Sequence, residues 1–181
     1  MIEAIIGLIG VILGFGLSAG YQELKEGRER KKHEGALMEE LRANLHMIPQ
    51  KRQTISNMIN ELQQGRMLPG PAVRFPKTFF ENCFPSVAPH LTVRERNSFH
   101  LLYEYFRVVD WLLDNYADRI LEVTATEEVH SRIEVALAML GDLKNLLSVT
   151  EDLAQLHLSG KPKDVFRSEE EYRKLAQTRY K

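Results

Sequence analysis

The sequence has few of the residues that stabilise or activate many small proteins. Cys83 is its one cysteine, which excludes an internal disulfide and a cysteine-based zinc site. The net charge is −1, so the chain as a whole lacks the excess positive charge of a nucleic-acid binder, and we expect no nucleic-acid partner. Phosphate-binding glycine loops and the G-x-S-x-G nucleophile motif are absent, so we expect no cofactor.

Strand patterns are also missing. No apolar run of useful length alternates with period 2, whereas apolar residues recur at three- and four-residue spacing over most of the chain. The sequence therefore predicts an all-α fold, in which one N-terminal transmembrane helix continues into a cytoplasmic helical bundle.

The first 21 residues predict the transmembrane anchor. No polar side chain occurs from Ala4 to Leu17, and about 20 apolar residues cross a bilayer as a helix. Residues 22–33 are rich in Lys and Arg, which places the N-terminus outside and the remainder in the cytoplasm. A cleaved signal peptide is a weaker alternative because the positive n-region is absent. A buried soluble helix is a third, disfavoured because the apolar residues surround the whole helix.

Small residues form a stripe along this anchor. Gly7, Gly10, Gly14 and Ser18 are three or four residues apart, and Glu3 extends the same face. Such spacing lets two helix backbones approach closely in lipid. We therefore expect this face to pack against another helix, most simply a second copy of the chain. The expected partners are the lipid bilayer and either a homo-oligomer or another membrane protein.

A stalk helix is predicted over residues 22–65. Its apolar residues follow a heptad-like pattern: Leu41, Leu45, Ile48, Ile55, Ile59 and Leu62. Pro49 should kink the helix, and Gly65 should cap its C-terminus.

Residues 66–91 predict a loop because five prolines interrupt regular structure. One short helical turn, Thr78 to Phe84, is compatible with them. The phenylalanines of this loop should fold onto the core: Phe75, Phe79, Phe80 and Phe84.

Residues 92–160 predict a helical hairpin. A capping box at Thr92 and Glu95 opens a helix to about Val123. A second box, at 124–127, opens another helix that ends at 159–162. Residues 161–181 predict a short amphipathic helix.

Catalytic constellations are scarce. Glu127 and His130 have the Glu-x-x-His spacing of carboxylate-bridged metal pairs, but no second such motif completes the site. A lone cysteine among phenylalanines, such as Cys83, is usually buried and inert. We therefore expect neither a catalytic residue nor a bound metal, and we interpret the chain as not an enzyme.

One candidate ligand site remains, at the end of the proline-rich loop. Arg74, Lys77, Arg94 and Arg96, joined by His90 and His100, surround a predicted helix N-terminus, which attracts anions. A phosphate-bearing molecule could bind there. Alternatively these residues brace the acidic segment 108–157, which has ten carboxylates against three Lys or Arg, and we expect this outcome.

The runs F-P-K-T-F-F-E-N and S-V-A-P-H-L-T-V-R-E-R-N-S-F-H-L-L-Y-E-Y resemble a loose class of uncharacterised bacterial single-pass, membrane-anchored helical proteins. The resemblance implies membrane attachment and a helical fold, with defence against phage as a setting. The sequence favours a non-enzymatic membrane protein that self-assembles through its anchor and stalk. The alternatives are an accessory or tethering subunit of a membrane complex, a sensor of an anion or nucleotide signal, and a bundle enzyme using Glu127 and His130.

Overall fold

The computed structural model describes the backbone of residues 2–66, 73–116, 118, 129–161, 165, 168–171 and 174. Side chains are described from residue 17 onward within these ranges, except at positions 19 and 129–131. All secondary structure in this part of the chain is helical, as predicted.

Four α-helices have both ends within the described residues. They are α1 (Ile2–Gln63), α2 (Thr78–Val87), α3 (Val93–Asp114) and α4 (Val129–Leu158), and a 3₁₀ turn, Ala88–His90, joins α2 to α3. Helix α1 packs against α2 and α4, and α3 packs against α4.

Helix α1 is continuous over 62 residues, a length of about 90 Å. Pro49, where we predict a kink, lies inside the helix and does not end it. Buried side chains on both sides of the proline, Ile48 and Ile55, hold the helix against the bundle, which offsets one missing backbone hydrogen bond.

The apolar faces of the helices form one core. Four residues of the predicted α1 stripe are buried, and Leu45 and Ile59 are half-buried. The apolar face of α3 is buried from Phe99 to Leu113. Core residues of α4 include Leu140 and Leu147.

Two helices end at a glycine, Gly65 as predicted and Gly160 within the predicted helix end at 159–162. Gly65 and Gly160 both have φ +74°. After α1, the Arg66 N–H donates to the Glu61 carbonyl and the Gly65 N–H donates to the Leu62 carbonyl, the paired bonds of a Schellman motif. The same pair of bonds ends α4, so the predicted cap at Gly65 and the predicted helix end at 159–162 are both confirmed.

The structure describes one of the two predicted N-terminal capping boxes. The Thr92–Glu95 capping box opens α3, as predicted. The second predicted box, at 124–127, lies outside the described residues, and so do most of 161–181.

The proline-rich segment is more helical than predicted. Instead of one turn it forms α2 and the 3₁₀ turn, and α2 contains Pro85. The phenylalanine prediction holds for the buried Phe75 and Phe84, whereas Phe79 is exposed. Its backbone N–H, and not its ring, is what anchors it to the core.

The predicted anchor lies largely outside the residues whose side chains are described. In the part of the chain that the structure does describe, no helix has both the length and the apolar character to cross a membrane.

Candidate functional site

A row of buried polar side chains on α1 holds the segment before and within α2. Glu40, Asn44 and Lys51 are spaced at 4 and 7 residues and so share one helical face. All three are buried, and each bonds to the segment 73–80. Buried polar groups are costly unless they are hydrogen-bonded, so these contacts fix where the segment lies.

Glu40 acts as the N-terminal cap of α2 although it lies 38 residues before it. Its carboxylate accepts hydrogen bonds from the Phe79 N–H at 2.7 Å and the Phe80 N–H at 2.9 Å. Lys77, at the N-cap position, provides no side-chain bond, so Glu40 replaces the usual local cap.

The Glu40 carboxylate also accepts a bond from the Tyr103 hydroxyl at 2.8 Å. Burial raises the pKa of Tyr103, and the bond to the carboxylate raises this pKa further. The tyrosine is therefore held as a neutral donor. With three donors directed at it, Glu40 is fixed in place as a structural acceptor.

Lys51 joins three elements at one point. Its ammonium donates to Asp110 Oδ1 of α3 at 2.8 Å and to the Val73 carbonyl at 2.6 Å, and lies 4.5 Å from the centre of the Phe75 ring. Asp110 Oδ2 accepts the Phe75 N–H at 2.9 Å. Asn44 adds a bond to the Pro76 carbonyl at 2.8 Å. The loop segment is thus fixed between α1 and α3.

A cleft of about 200 Å³ opens beside this junction, between residues 74–77 and α3. Aromatic rings form much of its lining, and cationic side chains lie among them. These residues are Phe75, Tyr103, Phe106, Trp111, Arg74, Lys77 and Arg107. Each cation has a carboxylate neighbour: Asp114 for Arg74, Glu81 for Lys77 and Glu104 for Arg107. These exposed pairs contribute little stability, about 0–1 kcal/mol each, so an anion could replace the carboxylates.

The structure separates the predicted anion-binding residues into two groups. Arg74 and Lys77 line the cleft, where Arg74 contacts Asp114 near the end of α3. Arg94 and Arg96 lie in the first turn of α3, about 30 Å from Asp114 along the helix axis. The four residues therefore do not form one site.

The histidines of the predicted cluster lie with the second group. Arg30 Nη1 donates to His90 Nδ1 at 3.3 Å. The His100 ring packs edge-on against Phe84, with 4.8 Å between ring centres.

The acidic segment 108–157 forms ion pairs with cations from other parts of the chain, and the sequence did not indicate all of these cations. Arg74 pairs with Asp114, as the bracing alternative predicts. Asp110 and Glu151, however, pair with Lys51 and with Arg52, both from α1. Proximity in sequence suggested the loop as the source of positive charge, whereas the fold places α1 against these acids.

A buried serine–histidine pair connects α3 to α4. Ser98 Oγ lies 2.7 Å from His157 Nδ1, and the Phe99 ring packs 4.3 Å from the imidazole, centre to centre. Burial lowers the pKa of His157, and the charge of Glu95 opposes this shift. Ser98 is inaccessible and His157 is 4% exposed, so a substrate cannot reach the pair in this arrangement. The geometry fits a buried contact between helices.

Metal-ligating groups do not converge within the described residues, where no three His, Cys, Asp or Glu side chains could hold an ion. Glu127 and the side chain of His130 lie outside those residues. The Cys83 thiol is free and half-buried on α2.

The predicted helix-packing residues lie on α1 ahead of the bundle. The surroundings of Gly7, Gly10 and Gly14 are outside the described side chains, and Ser18 is exposed. The same face continues with Leu17, Tyr21 and Leu24, which are 74%, 70% and 67% exposed. These three residues lie outside the predicted small-residue stripe.

Comparison with protein-family models, with curated proteins and with solved structures finds no match to the chain.

Proposed function

We propose that the chain is a non-enzymatic, membrane-anchored protein that self-assembles through the N-terminal part of α1. The observation that carries this proposal is the continuity of α1. One unbroken helix includes both residues 2–21 of the apolar block and the buried stripe that begins at Leu37. An anchor and a bundle that share one helix move together, since no flexible linker separates them.

The exposed face of α1 supports self-assembly. Gly10, Gly14, Leu17, Tyr21 and Leu24 are separated by 4, 3, 4 and 3 residues, the spacing of a heptad seam. Large apolar side chains that remain exposed in a row mark a contact surface. A second copy of α1 would cover them, with the glycines permitting close approach inside the bilayer.

Membrane attachment is supported by the residues that follow the apolar block. Tyr21 has the amphipathic character of residues at the membrane–water interface, and basic residues come directly after it. The N-terminus would lie outside and the bundle in the cytoplasm. The resemblance noted above adds a role as a membrane-acting defence effector. An accessory subunit would use the same face of α1 against another protein's helix.

Detergent-solubilised full-length chain tests the assembly by analytical ultracentrifugation. Gly10→Leu and Gly14→Leu should each reduce the oligomer, because a leucine prevents close backbone contact. Gly16→Leu is the matched control, since it lies about 200° around the helix from Gly14. A monomer at all concentrations in the unmodified chain would reject self-assembly and favour the accessory role.

Membrane attachment is tested separately. The chain should remain with membranes after carbonate extraction at high pH, and a reporter fused after Lys181 should be cytoplasmic. A chain released by carbonate, or an external reporter, would refute the anchor.

The cleft supports a second candidate function, the sensing of an anion or a nucleotide signal. Arg74, Lys77 and Arg107 lie around the cleft, and a planar base could stack on the ring of Trp111, which is 46% exposed there. Nucleoside monophosphates should then raise the melting temperature, and Arg107→Ala should abolish the rise. Arg42→Ala is the matched control because Arg42 forms a similar exposed pair with Glu39, i to i+3, away from the cleft. No shift with any nucleotide would eliminate this candidate.

A further inference from the structure

Three parts of the chain meet at the end of the bundle nearest the predicted anchor. His33 Nδ1 of α1 lies 2.9 Å from Ser86 Oγ, and Arg30 contacts His90, so the end of α2 and the 3₁₀ turn lie beside residues 30–33. The 3₁₀ turn leads directly into α3. The Ser98–His157 contact adds the last turn of α4 to the same end.

This arrangement collects positive charge. We define the basic end as residues 26–34, 88–96 and 159–161. Its cationic residues come from all three parts of the chain: Arg28, Arg30, Lys31, Lys32, Arg94, Arg96 and Lys161. Four carboxylates accompany these seven cations: Glu26, Glu29, Glu34 and Glu95. Glu95 is already bonded to Thr92 in the capping box, through both the backbone N–H and the hydroxyl.

The cations of the basic end differ from those elsewhere in the bundle. Among the residues that the structure describes, none of the seven is paired with a carboxylate. Farther along the bundle, Lys51, Arg52, Arg74 and Arg107 all have such partners. Unpaired positive charge is thus concentrated at one end.

The other end of α3 has no such excess of unpaired cations. Residues 108–116 and 118 carry three aspartates and neither Lys nor Arg, and two of these aspartates pair with Lys51 and Arg74. Unpaired positive charge therefore lies toward the N-terminal half of α1, where it attracts an anionic partner.

The position of the basic end on α1 identifies the partner. Arg30 follows Tyr21 by nine residues, so it lies about 14 Å beyond the apolar block. Lipid headgroups occupy roughly 5–8 Å beyond the hydrocarbon on each side. Long side chains at the basic end therefore come within a Debye length, about 8 Å, of the headgroup surface.

We propose that the basic end docks on the anionic phospholipid headgroups of the leaflet from which α1 emerges. This inference depends on the proposed anchor. Docking contacts at Arg94, Arg96 and Lys161, which lie far from α1 in sequence, hold the bundle against the membrane in one orientation. Arg94 and Arg96, which do not reach the cleft, would then bind the phosphates and carboxylates of the lipid headgroups.

Lysine reactivity in lipid nanodiscs tests the docking. The full-length chain is reconstituted in discs of neutral phosphatidylcholine, or of phosphatidylcholine with 30% phosphatidylserine, and labelled with an amine-reactive ester. Lys31, Lys32 and Lys161 should react about fivefold more slowly in the anionic discs, the factor that corresponds to about 1 kcal/mol for a basic residue near such a surface. Lys144, which bonds to Ser56 about 36 Å farther along α1 than Lys32, is the internal control and should not change.

A matched pair of variants distinguishes docking from a general effect of the charged disc. Arg94→Glu should restore much of the labelling at Lys161, because it places a negative charge in the contact. Arg107→Glu changes the same residue type on the same helix, about 20 Å farther along, and should leave the protection intact. Both residues are exposed, so both variants should fold.

Four outcomes would overturn the proposal. They are equal labelling in the two kinds of disc, equal protection of Lys144, protection by free phosphate added to neutral discs, and stronger protection by a DNA or RNA oligonucleotide than by phosphatidylserine. Failure of the anchor itself would appear differently, as loss of the chain from neutral discs.

Discussion

Of the aspartates in α3, Asp110 is the one whose removal should lower the free energy of unfolding most. Asp110→Ala leaves the Lys51 ammonium, which is 5% exposed, without its carboxylate, and leaves the Phe75 N–H without an acceptor. Removing one partner of a buried ion pair typically costs 3–5 kcal/mol. Lys51 keeps its bond to Val73 and its contact with the Phe75 ring, so we expect a cost of about 3 kcal/mol at the lower end of that range.

Urea denaturation of the full-length chain in mild detergent, followed by far-ultraviolet circular dichroism, measures this cost. Asp114→Ala is the matched control, one helical turn later, because its pair with Arg74 is exposed and should contribute no more than about 1 kcal/mol. Combining Asp110→Asn with Lys51→Met should cost at least about 1 kcal/mol less than the two single changes added together. If Asp110→Ala lowers the free energy of unfolding no more than Asp114→Ala does, the Lys51–Asp110 pair does not hold the segment 73–80 in place.

Three other changes follow from local features. Burial lowers the pKa of His157, so the imidazole binds a proton more weakly in the folded state than in the unfolded state. The stability that depends on neutral His157 is therefore complete above about pH 6.5 and is lost as the pH falls below that value. His157→Gln should reduce the decrease in urea midpoint between pH 7.5 and 5.5, and an unchanged decrease would assign it to other groups. Gly160→Ala should lower the free energy of unfolding by about 1–2 kcal/mol, because φ is +74° there. Gly141→Ala should raise the free energy of unfolding by about 0.5–1 kcal/mol, since an added Cβ has open space within a helix. A urea titration in which Gly160→Ala is more stable than Gly141→Ala would contradict both expectations.

The sequence predicted those parts of the fold whose signals are local. The Thr92–Glu95 box, the Gly65 and Gly160 caps and the apolar stripes each lie within a few residues of the structure that they specify. Their physical basis is short-range, so no knowledge of the tertiary fold was needed.

Features that depend on distant residues were not predictable. Helix α2 contains Pro85 and lacks a local side-chain cap, so its sequence indicates a loop, whereas Glu40 supplies the cap from α1. The Lys51–Asp110 pair joins residues 59 apart, and the Ser98–His157 pair also joins residues 59 apart. Each partner alone resembles an ordinary surface or core residue. Their roles become visible only when the helices are placed side by side.

The candidate site was predicted in composition but not in geometry. Sequence proximity grouped Arg74 with Arg94, yet the segment between them folds as α2 and runs back along α1. Arg74 therefore meets the end of α3, and Arg94 lies at its start.

The continuity of α1 also fixes a rotational relationship between its two ends. Each residue of an α-helix turns the chain by about 100°, so the azimuth of Gly14 relative to Leu37 is set by the number of residues between them. One residue inserted after Tyr21 would rotate the N-terminal face by about 100° about the helix axis relative to the bundle. Seven inserted residues would return it to within about 20° of the original direction. The helix thus sets the direction of the N-terminal face relative to the bundle as well as the distance between them.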